Sequence, residues 1–307
     1  MSYAFHQSPL YVMRSRRRLA DEIFGISLTA LEGLVENGNN YIESRRVTGG
    51  KERLVRAPKP LLRHIQERLA QLLNRIEAPD YLHSGRKQRS HISNALAHQG
   101  ATRVLKLDIR KFYPSITRAR VWNYFAGQMR CSPDVAALLA KICCFEGSAP
   151  IGSPVSQVLA LQVVRPMLDE VDVLARAHGL TFTCYVDDLS FSGEKATPAF
   201  LWQIKQLIRR HGYRYHGGTA YGPDAERRVT GVLLTAQGPR VPPAHLQGIR
   251  AARHAFEAAK EASDREATLS VLIGRLAAAA AIEKRFLAQI GDLRRRRRRF
   301  RPPSFGG

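Results

Sequence analysis

Residues 180–193 read "LTFTCYVDDLSFSG" and set two adjacent carboxylates, Asp187 and Asp188, inside a strand-like run. Phe182, Cys184 and Val186 alternate with Thr181, Thr183, Tyr185 and Asp187, which is the two-residue period of a β-strand. Leu189 to Ser192 follow in kind and stop at Gly193, so the stretch reads as a β-hairpin with two acids at its tip. Aspartate is disfavoured in strands and neighbouring like charges repel. Such a pair is either a solvated turn or a place where a cation is shared.

The rest of the chain bears on that choice. It has 307 residues, enough for a large core and more than one subdomain. Lys and Arg number 48 against 26 Asp and Glu, a formal charge of +22, and most of the excess is Arg, whose planar fork suits phosphate oxygens. A field of this sign attracts polyanions, so a nucleic acid or another polyphosphate is the expected partner. No apolar run approaches membrane-spanning length, and the opening "MSYAFHQSPLYVMRSRRRLADEIF" lacks the order of a signal peptide, so the expected location is cytoplasmic, with no membrane partner. Cys131, Cys143, Cys144 and Cys184 form no CxxC pair and read as reduced, small apolar residues.

Along the chain, residues 17–37 look helical, and "YIESRRVTGGKERLVRAP" reads as a basic hairpin around Gly-Gly, ended by Pro58. "PLLRHIQERLAQLLNRI" is an amphipathic helix with Leu61, Leu62, Ile65, Leu69, Leu72, Leu73 and Ile76 on one face. "SGRKQRSHISNALAHQG" is a basic loop entering a short helix. "TRVLKLDI" is a strand. Residues 118–144, 154–173 and 198–211 look helical, and "RRVTGVLLT" reads as one more strand. From Pro243 to Leu293 the chain is Ala-rich and helical, with a boundary expected near Gln237–Pro239. The six arginines Arg294–Arg299 precede a Pro- and Gly-containing end, and the whole is expected to be a disordered tail.

Two carboxylates at a hairpin tip can be relieved by divalent cations, and Mg²⁺ takes oxygen ligands while keeping water or phosphate in its other positions. A two-metal phosphoryl-transfer site needs a further carboxylate. Asp108, at the end of the apolar strand in "VLKLDIRKFYPSI", is the candidate, because two adjacent central strands would bring it against Asp187.

These residues together resemble the reverse transcriptases. "YVDD" looks like their YxDD signature, "LDIRKFYPSI" like their first acidic motif, and "APIGSPVSQVLALQV" like the Gly-Ser-Pro segment of the nucleotide and template pocket. "NALAH" at Asn94–His98 and "VTG" at Val229–Gly231 narrow the resemblance to bacterial retron reverse transcriptases, over roughly residues 40–290. The resemblance implies an α+β right-hand polymerase with an antiparallel palm sheet and a helical thumb. Fingers would be residues 1–100, palm 101–237 (with 118–150 partly fingers), thumb 238–293 and a basic tail 294–307.

The implied roles follow residue by residue. Asp108 and Asp187 would be catalytic and ligate two Mg²⁺ ions, with Asp188 supporting and the Ile109 carbonyl completing one shell. Tyr113 would exclude a 2′-hydroxyl, with Phe112 in the core; plain core packing of both rings is the alternative. Arg53 would hold the triphosphate, and Ile151 and Gly152 would line the nucleotide pocket. Arg86 and Arg89 would join the triphosphate cluster or make generic backbone contacts. Asn94 and His98 would either engage the cognate RNA or brace the fingers. Val229, Thr230 and Gly231 would bend a strand into the thumb or contact an RNA stem-loop, and Arg294, Arg295 and Arg296 would lie along RNA.

The implied function is RNA-directed DNA synthesis from deoxynucleoside triphosphates on a cognate non-coding RNA, giving branched RNA-linked DNA. A separate effector protein and a role in anti-phage defence go with it. Two departures stand out: Ile151 replaces the usual Gln, and Gly218 replaces the Lys of a Lys-Thr pair, leaving His216 as the nearest titratable group. The rival readings are an intron-type or other defence-associated reverse transcriptase, and a catalytically idle RNA-binding subunit.

Overall fold

The computed structural model describes residues 2–48, 51–222 and 225–300. A short α1 (Arg16–Arg18) runs through a π-helical turn toward α2 (Leu28–Glu36). Strands β1 (Tyr41–Thr48) and β2 (Lys51–Pro58) pair antiparallel, with Arg46 opposite Arg53. Residues 49 and 50, the expected Gly-Gly turn, lie outside the described residues. In α3 (Pro60–Asn74), Pro60 stands at the start, where its missing N–H costs nothing. The helix buries Leu62, Ile65, Leu69, Leu72 and Leu73, whereas Leu61, expected on that face, is exposed. Next come α4 (His91–Leu96), capped by Ser90, and then β3 (Val104–Ile109), α5 (Phe112–Ser115), α6 (Arg118–Asn123), α7 (Pro133–Cys143) and α8 (Ser156–Ala177).

The fold is α+β, and its centre is an antiparallel sheet in the order β4-β5-β3-β6, where β4 is Thr181–Tyr185, β5 Asp188–Ser192 and β6 Tyr215–Tyr221. Buried Phe182 stacks on Phe191 across the β4–β5 pair at 5.0 Å, and Phe191 meets Phe200 of α9 (Pro198–Arg210) edge-on. The main core, which includes α3, α7, α8 and α9, packs around this sheet. Both faces of β4 and β5 are covered, so the polar Thr183, Ser190 and Ser192 are buried along with the apolar residues.

Two expectations are corrected, and one strand is added to them. "RRVTGVLLT" is not one strand but a tight hairpin of β7 (Arg227–Val229) and β8 (Val232–Thr235), followed by β9 (Gly238–Arg240). Thr230 and Gly231 both have positive φ, 41° and 80°, which is the signature of a two-residue turn matched to strand twist. "YHGGTAY" is strand β6, whose pairing with β3 is irregular between Lys106 and Asp108; Gly217 and Gly218, at positive φ, fall in this strand and permit the distortion. The arginine run begins inside a helix, since α12 (Leu287–Phe300) continues through it. Arg is a good helix former, and Arg295 and Arg297 find Asp292 and Glu266, which offset the mutual repulsion. Residues 301–307 lie outside the described residues.

A second core belongs to α10 (Pro243–Ala258), α11 (Ala262–Ile282) and α12, around Leu272, Leu276 and Phe286. A small third core joins Ala95 of α4 to Val104, Val229, Val232 and Leu234. No helix among the described residues is long and apolar enough to cross a membrane.

Candidate active site and its relatives

β3 and β5 pair in a register that sets Asp108 opposite Asp188. Asp187 lies in the turn just before β5, after Val186 at φ 60°. That turn is held from two sides. The Ile109 N–H donates to the Asp187 carbonyl at 2.9 Å, and the Val186 N–H donates to Ser84 Oγ at 3.0 Å. The outer edge of β4 is covered as well, because Cys184 N–H donates to the Tyr81 carbonyl and His83 N–H to the Cys184 carbonyl. Two acids that start on different strands are thereby fixed at one end of the sheet.

Their electrostatics follow from that placement. Burial pushes the Asp187 carboxyl up to about 6; Asp108 and Asp188 push in the same direction, while Arg53 opposes them. Burial also raises Asp188, and Lys106 opposes the rise. Tyr113, half-buried, has its phenol raised by burial and by Asp187 and lowered by Arg53. Asp108, Asp187, Tyr113 and Arg53 therefore share one neighbourhood, although Arg53 comes from a hairpin distant in sequence. Phe112 is buried against the core and meets Tyr113 edge-on at 5.4 Å.

Among the described residues, no three His, Cys, Asp or Glu side chains converge tightly enough to form a metal cage by themselves. The donor set still fits Mg²⁺, which takes few protein carboxylates and completes its shell with water and phosphate. Burial first, and the neighbouring acids second, disfavour the charged Asp187 carboxylate, and a bound cation would offset both.

The Ile151–Gly152 turn contacts the arginine-bearing hairpin. The Arg56 N–H donates to the Ile151 carbonyl at 2.7 Å. Gly152 has φ 107°, and a Cβ there would sit 2.6 Å from Val55 Cγ1. Only glycine allows this approach.

Arg86 and Arg89 are committed elsewhere. Arg86 donates to the Pro79 carbonyl, Arg89 bonds the Asp80 carbonyl and His83, and both face the Asp80 carboxylate. They fasten their own loop, and the expected triphosphate cluster does not include them as folded. Asn94 and His98 are buried, so as folded neither can touch RNA, and the bracing alternative is the one their geometry supports. Val229 is buried too, whereas Gly231 is exposed. Arg294 and Arg295 are exposed on α12; of the Arg296 side chain nothing is described.

Sequence reasoning did not find Ser84, which pins the tip, nor Lys106, which faces Asp188. A lone Ser in a loop carries no pattern that could have singled it out. It also missed a cavity of about 280 Å³ lined by Arg110, Lys111, Arg120, Tyr213 and Arg214, beside the end of β3.

Several curated proteins are similar to this chain. Retron Mx162 reverse transcriptase of Myxococcus xanthus is 28% identical over 291 residues, covering 80% of this chain and 59% of its own length. This chain is similar to the retron reverse transcriptases. Retron Se72 reverse transcriptase of Salmonella heidelberg is 30% identical over 181 residues, 59% of this chain and 45% of its own length. Retron Ec86 reverse transcriptase of Escherichia coli is 28% identical over 193 residues, 61% of this chain and 59% of its own length. The chain thus spans about half the length of these retron relatives. No protein-family model matches it.

Proposed function

We propose that the chain is an RNA-directed DNA polymerase of the retron kind, with a right-hand arrangement of fingers, palm and thumb. The observation that carries the reading is the meeting of Asp108 and Asp187 at the end of one sheet, where Arg53 acts on the Asp187 carboxyl and Arg53 and Asp187 both act on the Tyr113 phenol. Asp108 and Asp187 would hold two Mg²⁺ ions, with Asp188 alongside. Those ions, when bound, supply charge neutralisation for an in-line attack on the α-phosphate and lower the pKa of the attacking hydroxyl.

The chain's own groups do the rest. Arg53 pairs with triphosphate oxygens, as a guanidinium fork does best. The Tyr113 ring fills the space where a ribose 2′-hydroxyl would sit. Ile151 gives that pocket an apolar wall. Arg110, Lys111 and Arg214 line a basic cavity beside the end of β3, which would suit a phosphate group. The excess of 22 positive charges supports sequence-independent affinity for RNA and DNA backbones, and Arg294 and Arg295 add to it.

Resemblance to the family extends the reading. The template is a cognate non-coding RNA, synthesis starts on one of its 2′-hydroxyls, and the product is branched RNA-linked DNA. A separate effector acts with it in anti-phage defence.

Primer extension on a poly-rA template with Mg²⁺ tests the core of this reading. The wild-type chain extends the primer. Asp108→Asn and Asp187→Asn each lower the rate by roughly 10²–10³-fold or more, with RNA affinity nearly unchanged. Extension by either variant at the wild-type rate refutes the assignment. A wild-type chain that binds RNA tightly and never extends a primer is an RNA-binding subunit.

A further inference from the structure

The two signature motifs "NALAH" and "VTG" lie 136 positions apart between Asn94 and Thr230, and the fold joins them. Asn94 Nδ2 donates to Thr230 Oγ1 at 3.4 Å, and Thr230 Oγ1 donates to the His91 carbonyl at 2.7 Å. Gln99 Nε2, just past α4, donates to the Thr235 carbonyl at 2.7 Å. The small core of Ala95, Val229, Val232 and Leu234 closes around these contacts. One side of the α4 segment is therefore fastened to the β7–β8 hairpin. That hairpin continues through β9 into α10.

The segment's other attachment is His98. Its Nδ1 is 2.7 Å from Ser192 Oγ of β5, and its Nε2 is 2.7 Å from Thr183 Oγ1 of β4. The ring is 1% exposed, Thr183 2% and Ser192 4%, so water does not compete for these bonds. Asp187 stands four residues after Thr183, and Asp188 four before Ser192. The imidazole thus bridges both strands of the hairpin whose turn presents the two acids. Burial pushes this imidazole down to about 4, with His83 acting in the same direction. A neutral ring has one donor and one acceptor, which two hydroxyls satisfy together.

We propose that His98 is a positioning residue: with the Asn94–Thr230 contact it forms an internal clasp that sets the Asp187–Asp188 hairpin against the base of the C-terminal helices. On this view the two motifs influence synthesis through the placement of the carboxylates and not by touching RNA. Sliding β4 against β5 by one residue would turn every side chain to the opposite face. Two hydrogen bonds from one rigid ring, one to each strand, resist that slip. The activity readout rests on the polymerase reading above; the exchange readout does not.

The test uses the full chain with His98→Ala, His98→Gln, Ser192→Ala and Thr230→Val. Amide hydrogen exchange is followed in the folded protein at low temperature, alongside primer extension and affinity for one fixed RNA. In His98→Ala, amides of residues 181–192 exchange at least about tenfold faster, while those of α10 and α11 keep their protection. The extension rate constant falls at least about tenfold, with the deoxynucleotide KM and the RNA Kd within about threefold of wild type. His98→Gln keeps one donor and one acceptor, and it recovers much of both losses. Ser192→Ala removes one arm of the bridge and gives a smaller change of the same kind. It serves as the readout should His98→Ala fail to fold. Thr230→Val weakens the far attachment, and its effect on exchange is less than additive with that of His98→Ala.

Unchanged exchange in 181–192 for His98→Ala and Ser192→Ala overturns the clasp. So does a loss of RNA affinity with the rate constant retained, which would return these residues to RNA contact. If the wild-type chain does not extend primers, the polymerase reading fails and the exchange pattern still decides the clasp.

Discussion

Two hairpins supply the candidate site, and they are built in opposite ways. The β4–β5 hairpin is enclosed: Leu189 and Phe191 are fully buried, its outer edge is paired to residues 81–84, and its Thr183 and Ser192 hydroxyls bond to His98. The β1–β2 hairpin stands at the surface as a two-stranded sheet, with Val47 75% and Ile42 58% exposed. The first carries acids and the second carries Arg53. Acids that must share a cation need a fixed separation and partial desolvation, because both set how strongly they repel and bind. An arginine reaching for a phosphate needs length, charge and access, which a solvated strand provides. The price of fixing the acids is visible in the Asp187 carboxyl, raised to about 6.

The contrast breaks first at Arg53. Arg53→Ala is expected to lower kcat/KM for deoxynucleotides by about 10–10²-fold, the worth of one or two charge-assisted hydrogen bonds. Its melting temperature should stay at the wild-type value, since the side chain is exposed. Steady-state kinetics and a thermal melt check both halves. A large drop in melting temperature would make Arg53 part of the fold.

Asp187→Asn sharpens the comparison from the other side. A carboxyl raised from its usual range to about 6 favours the folded state below pH 4, and that contribution is lost as pH rises through 6. Replacing it should therefore stabilise the metal-free protein at pH 8 by about 1–3 kcal/mol, or about 2–6 °C in Tm, and very little at pH 4. Melts in a chelator at the two pH values measure this. Adding Mg²⁺ should raise the wild-type Tm more than that of the variant. Equal Tm values for both proteins at pH 8 without metal would show that neither burial nor the neighbouring acids penalise the Asp187 carboxylate.

The smallest expected effect is at Tyr113, which lies between the two hairpins. Tyr113→Ala should raise ribonucleotide incorporation relative to deoxynucleotide by several-fold, on the order of 1 kcal/mol of lost discrimination. Competition between rNTP and dNTP on one template reads this ratio. An unchanged ratio would assign the ring to packing, like Phe112.

The acidic hairpin was legible because its period of two, its abrupt end at Gly193 and its adjacent acids have few explanations in a chain of charge +22. The neighbouring β3 was legible for the same reason, an apolar run ending in Asp108. Strand β6 was not, because Gly217 and Gly218 remove the side chains that would have shown the alternation. The turn at Thr230-Gly231 was hidden by Thr, which seldom takes positive φ; here Asn94 and the His91 carbonyl hold its hydroxyl. For Asn94 and His98 the sequence leaves bracing of the fingers and contact with RNA equally open, the second only through the family resemblance. Their true partners, Thr183, Ser192 and Thr230, are distant in sequence and carry no periodic signal. In the arginine run, like-charge repulsion was counted while Asp292 and Glu266 were still out of sight.

The bare backbone of Gly152 gives the exposed hairpin a fulcrum. Val55 and Arg56 rest on the Ile151–Gly152 turn with no side chain between them. Arg53 lies three residues further along β2, an arm of about 10 Å. Rotating that arm by about 10° about its support would carry the guanidinium's backbone by only about 2 Å. A motion of that size is enough to make or break a hydrogen bond to a phosphate. Bulk added at the fulcrum would act like a shim: it would leave both hairpins intact and move the arginine out of reach.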